Sequence, residues 1–251
     1  MSVNDYMLVT DDVRQAVFAG QAIVAVPSAF FMGEAVAQYD ACRAAIERHN
    51  AKMALVAIWK GKLTVGLSTE QMHTLAAQPD VAQYASRSDF APLCARRANA
   101  AAGVALTMLA AQRCGIDVVA GGAMEGVWQS ENGGCCSPTL VELTQTTTLL
   151  IAAGWKNNVH RPQTMACLEM QDIPVALWQT DCVDEQTHAA LHRLDTPEQA
   201  GVMFRAHRDV CRKGGVLLMA QTQADEQQAR LKSCEVAAQV AGCMLPTPFS
   251  E

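Results

Sequence analysis

No apolar run in the 251 residues approaches a membrane span, although half of the residues are hydrophobic. There is no excess of positive charge either. The formal net charge of −6 excludes the basic footprint of a nucleic-acid-polymer binder. It also gives no global steering toward a phosphorylated substrate, so any phosphate grip must be local. The opening Met1-Ser2-Val3-Asn4-Asp5 lacks a basic n-region and an apolar h-region. No signal peptide is expected, and a cytoplasmic location is. The 10 cysteines are scattered without a C-x-x-C pair, which points to reduced thiols rather than disulfides. No internal repeat, linker or low-complexity stretch divides the chain. Its length suits a single α/β domain, 1–251, with a full core.

What is present is an alternation of apolar strands and helices. Short strands are expected at residues 22–26, 116–120, 147–153 and 173–179, with a hairpin-like pair at 53–59 and 63–67. Helices are expected at 11–20, at 33–50 and from Pro162 to about Gln171, where the proline suits a first helical turn. Gly115 reads as a helix stop. Ser68 and Gln71 have capping-box spacing, and Thr196-Pro197 opens a further helix. The pattern predicts a three-layer α/β/α domain with a mainly parallel central sheet.

The informative stretch is Ala152-Ala153-Gly154-Trp155-Lys156. The run 147–153 reads as a strand buried on both faces, and Gly154 is expected to break it. Lys156 then falls at the carboxyl end of a strand, where open α/β sheets place ligands. A lysine among apolar neighbours loses its proton more easily, and a neutral lysine can form a Schiff base with a sugar aldehyde. The plainer reading is a strand-end lysine that snorkels to water.

This segment, with Cys167-Leu168-Glu169 following, resembles the pseudouridine-5′-phosphate glycosidase family, also called indigoidine-synthase-A-like. Val65-Gly66-Leu67 with Glu70, Ser86-Arg87-Ser88-Asp89 and Val141-Glu142-Leu143 resemble further family signatures, in family order. Thr247-Pro248-Phe249 resembles a late signature, and a member shortened at its C-terminus, without the family's further helical segment, is expected. The resemblance implies that Lys156 is the Schiff-base nucleophile. It also implies a small sugar or nucleoside phosphate as partner, and a homotrimer.

The resemblance equally marks departures. The family's general acid, a glutamate after the strand at 22–26, falls on Pro27, with Ser28 and Ala29 following. A proline cannot donate a proton, and no carboxylate before Glu34 offers a neighbouring substitute. The second, substrate-contacting lysine falls on Tyr84. Tyrosine could still hydrogen-bond a sugar or phosphate, or could simply be half-buried. Gly103 and Val104, at a helix start, could bind phosphate through free N–H groups, or could only pack. Gly121-Gly122 keeps part of a glycine-rich run, a weak signal that often marks only a tight turn.

The family's manganese aspartate falls on Cys135, beside Cys136. A thiolate is a poor exchange for a hard carboxylate, so no manganese site and no cofactor are expected. Of the family's last substrate-contacting triplet, Ser137 remains and Thr139 replaces an aspartate. Two functions stay open: Schiff-base chemistry on a ribose-type sugar through Lys156, or a paralogue that binds a small molecule or partner subunit without turnover. Cleavage of pseudouridine 5′-phosphate itself is expected to be slow or absent.

Overall fold

The computed structural model describes residues 5–78, 82–130, 133–181, 191–221 and 225–244. The signature at Thr247-Pro248-Phe249, position Thr222 and most of the segment that follows Asp181 lie outside the described residues.

The first half carries β1 (Met7–Val9), α1 (Asp11–Phe18), β2 (Ile23–Pro27), α2 (Tyr39–Glu47), β3 (Lys52–Trp59), β4 (Lys62–Val65), α3 (Thr69–Ala77), β5 (Ala82–Ala85), α4 (Arg87–Ala95), β6 (Ala100–Ala102) and α5 (Val104–Cys114). Then follow β7 (Val118–Met124), β8 (Val127–Ser130), β9 (Gly133–Cys136), α6 (Pro138–Leu143), β10 (Leu149–Trp155), α7 (Arg161–Met170), β11 (Val175–Trp178), β12 (His192–Leu194), α8 (Pro197–Ala206), β13 (Val216–Ala220) and α9 (Glu226–Cys243).

The central sheet runs β1-β4-β3-β2-β7-β10-β13-β11-β12, with β6 joined to β3 and β5 to β6. Its pairings are parallel except β3–β4 and β3–β6. The strands expected at 22–26, 116–120, 147–153 and 173–179 therefore lie in one mainly parallel sheet. Their near-continuous apolar runs suit strands covered on both faces. Helices α5 and α9 both pack on β2 and β7, and α6 and α2 pack on them in turn. This is the three-layer arrangement expected.

Local chemistry explains the details. Ser68 and Gln71 form the capping box of α3, and Gly115, at φ 71°, closes α5. Two expectations are corrected. The helix expected over 33–50 is a 3-10 segment, Gly33–Gln38, followed by α2. The 3-10 segment buries no residue fully, and Val36 packs only partly on the core, a weaker hold than the buried stripe that sustains an α-helix. Gly154 does not break its strand. It sits in β10 at φ 71°, and the pairing of β10 with β7 shifts register between Ala152 and Trp155. The irregularity re-aims the strand end, as bulges beside functional sites commonly do. Pro174 has no N–H to offer, and β11 starts one residue later, at Val175.

Candidate active site

A cleft of about 410 Å³, its open mouth included, lies over the carboxyl ends of the central strands. Pro27, Ala29 and Phe30 reach it from the end of β2, Tyr84 from β5, Gly103 and Val104 from the end of β6, Gly121, Gly122 and Ala123 from β7, and Glu125 from just beyond β7. Lys156 follows β10, and Glu226 and Arg230 come from the first turns of α9. Six separate segments thus converge where the strand ends leave a crevice, the usual ligand position in an open α/β sheet.

Lys156 is here, but not among apolar neighbours as expected. Its Nζ donates to Glu125 Oε1 at 2.6 Å, with side chains 34% and 3% exposed respectively. The backbone sets this contact. Lys156 N–H donates to the Met124 carbonyl at 3.0 Å, fixing the end of β10 against the end of β7. Glu125 and Gly126 form the turn from β7 to β8. Ser137 N–H donates to the Gly126 carbonyl, and Val127 N–H donates to the Thr164 hydroxyl of α7. Gly126 has to be glycine, since a Cβ there would lie 2.2 Å from Thr164 Oγ1.

Glu125 accepts from two further side chains. Thr139 Oγ1 donates to Oε2 at 2.7 Å, and the Tyr84 hydroxyl donates to Oε2 at 3.1 Å and more weakly to Oε1 at 3.4 Å. A carboxylate buried this deeply needs such partners. Tyr84 is part-exposed as a residue, yet desolvation of its phenol, then the charge of Glu125, push that phenol well above its ordinary value. It therefore remains a protonated donor. Its ring lies against Gly103, where a Cβ would come within 2.3 Å of Cζ. Lys156 Nζ sits 5.9 Å from the centre of the same ring.

The residues expected from the sequence thus divide. Lys156, Tyr84, Gly103 and Val104 line the cleft. Thr139 stands behind it and holds Glu125. Ser137 is buried as the cap of α6, accepting from Leu140 N–H, and does not line the cleft. Gly103 N–H is already given to the Ala85 carbonyl, so an anion at this helix start would meet donors from Val104 onward. The α5 start has no side-chain cap, which leaves those donors to a ligand. Across the cleft Arg230 donates to the Phe30 carbonyl and to Glu226, at 3.1 and 3.0 Å.

Sequence reasoning missed Glu125, because the resemblance places the acid at Pro27, far from it in the chain. Pro27 does line the cleft, and the fold brings a carboxylate there from a different strand. Cys135 and Cys136 are exposed thiols on β9, and among the described residues no group of three or more His, Cys, Asp or Glu side chains could hold a metal ion.

The profile of the family described as indigoidine synthase A like protein matches residues 12–243. Relatives named pseudouridine-5′-phosphate glycosidase include one from Sorangium cellulosum, 31% identical over 229 residues that cover 87% of this chain and 72% of the relative. Another, from Methylobacterium nodulans, is 32% identical over 243 residues, 92% of this chain and 70% of the relative. Among solved structures, a prealnumycin C-glycosynthase in complex with ribulose 5-phosphate superimposes with a TM-score of 0.86 at 20% identity, covering 95% of this chain and 97% of that one. An indigoidine synthase A-like protein from Thermotoga maritima gives 0.74 at 16% identity, covering 96% and 94%. At these identities the solved structures establish a shared fold alone.

Proposed function

The chain belongs to the indigoidine synthase A-like family, and from that premise we propose that it is an enzyme making or breaking a glycosidic bond at C1 of a pentose phosphate, through a Schiff base on Lys156. The observation that carries this is the placement of Lys156. Its amine projects into a cleft at the strand ends, 2.6 Å from a carboxylate able to take its proton. The neutral amine is the nucleophile such chemistry requires. The α5 N-terminus, uncapped and facing the cleft at Val104, suits the phosphate, and Arg230 adds a second cationic group. The relatives' names and the sugar phosphate bound to the C-glycosynthase support this substrate class.

Pseudouridine 5′-phosphate is a poor substrate in this proposal, because Pro27 stands where the resemblance implies the general acid. The reaction runs without manganese, because thiols stand where the carboxylate ligand would be. Added manganese is expected to leave activity unchanged, and tight stoichiometric uptake in elemental analysis would contradict this. The trimer implied by the resemblance remains part of the proposal, to be tested by mass in solution.

Pro27 in the cleft also favours a second reading, a paralogue that binds a sugar phosphate without turnover. Incubation with ribose 5-phosphate, borohydride reduction and intact-mass measurement tests the enzyme reading. A single covalent sugar phosphate adduct is expected. Saturable binding with no adduct would leave the binding reading in its place.

A further inference from the structure

We propose that Glu125 is the catalytic acid–base residue for formation of the Schiff base on Lys156. The proposal rests on the Schiff-base reading of Lys156. Four observations carry it. Glu125 Oε1 touches the reacting nitrogen at 2.6 Å. Glu125 also lines the cleft itself, so an incoming sugar reaches both groups. Its other oxygen is held by Thr139 and Tyr84, which fix the carboxylate without blocking Oε1 from the amine. Its backbone is locked to Lys156 through the Met124 carbonyl, so the pair moves as one unit. The only other carboxylate lining the cleft among the described residues, Glu226, is engaged by Arg230.

The proton balance closes with this one carboxylate. As the Lys156 amine adds to the aldehyde carbon of an open-chain pentose phosphate, Glu125 takes one proton from the ammonium and returns it to the carbonyl oxygen. It then takes a second from the nitrogen and returns it to the hydroxyl, which leaves as water. Of the three ammonium protons, one ends on the iminium nitrogen and two on water. The carboxylate is regenerated, and no further acid or base is consumed. The groups facing it, Tyr84 and Thr139, remain donors throughout. Held this way, the carboxylate meets the geometric requirement for general acid–base catalysis, which contributes about 10²–10⁴-fold.

The test is the rate of borohydride-trapped adduct formation with ribose 5-phosphate in wild type, Glu125→Gln and Glu125→Asp, each checked for a cooperative thermal transition. Glu125→Gln keeps the shape and loses the proton acceptor, and is expected to label about 10²–10⁴-fold more slowly. Glu125→Asp keeps a carboxylate set back by one methylene and is expected to label at least tenfold faster than Glu125→Gln, a rescue that a merely structural role would not produce. If Glu125→Gln does not fold, Glu125→Asp is read against wild type, with labelling about tenfold slower expected. Labelling of Glu125→Gln, or in that case of Glu125→Asp, at the wild-type rate would overturn the role of Glu125 while leaving Lys156 as nucleophile. A wild type that labels with no sugar phosphate would overturn both.

Discussion

Two buried carboxylates in this molecule look alike and sit in different surroundings. Glu125 is 3% exposed and pairs with a partly exposed Lys156 at 2.6 Å; Glu142 is 2% exposed and pairs with a partly exposed Arg87 at 2.8 Å. Both border α6, which supplies Glu142 itself and, through Thr139, a hydrogen bond to Glu125. The cations separate them. Arg87 also donates to Gln145 and lines no part of the cleft, and a guanidinium stays protonated. Lys156 lines the cleft and presents a primary amine, the group that Schiff-base chemistry uses. Burying and pairing a charge is therefore not a mark of function in this fold. Access together with a primary amine is what makes one pair a candidate for chemistry and the other a strut.

Substitution of the two cations should break the likeness most strongly. Lys156→Ala is expected to lower adduct formation by about 10³-fold or more, since the nucleophile is gone. Arg87→Ala should leave labelling within about threefold. It should still lower stability by about 1–3 kcal/mol in denaturant melts, because it strips a buried acceptor of its partner. Loss of labelling in both variants would mean that the pairs form one unit.

A smaller effect is expected from Gly103→Ala. The new Cβ would lie 2.3 Å from the Tyr84 ring, so the ring must move and loosen its hold on Glu125. Labelling should fall roughly 10–10²-fold, as displaced positioning groups usually cost. Unchanged labelling with an intact fold would remove Tyr84 from the site.

The smallest effect concerns pH. Burial, opposed by the Arg87 guanidinium, raises the Glu142 carboxyl above its ordinary value of 4.5. The fold then holds that proton more tightly than the unfolded chain does, so this contribution is fully present below 4.5 and is lost as pH rises through the raised value. Glu142→Gln has no such proton and should lose that slope in thermal melts taken across the window above 4.5. Identical slopes in the two proteins would contradict the assignment.

Much of this was legible in the sequence. The apolar runs that became β2, β7, β10 and β11 have few polar positions, so their burial in one sheet follows from composition. Lys156 was legible because the strand before it and the helix after it bracket a single cation. The segment 33–50 misled because its composition suits a helix while its first six residues bury no side chain fully, Val36 packing only partly on the core. Glu125 was hidden because its role depends on three partners far apart in sequence, Tyr84, Thr139 and Lys156. One signal was available: Ala123-Met124-Glu125-Gly126-Val127 sets a lone carboxylate directly after a buried strand, and such a group is almost never buried without a partner. Ser137 and Thr139 were named for the ligand side of the site, yet capping and second-layer support use their hydroxyls, a distinction that spacing alone does not carry.

In the proposed reaction one amine, poised on one carboxylate, does the chemistry. Peptide mapping of the borohydride adduct formed with ribose 5-phosphate tests it most directly. A reduced sugar phosphate is expected on the peptide carrying Lys156 in wild type and none in Lys156→Ala. A label spread over other lysines and persisting in Lys156→Ala would contradict it.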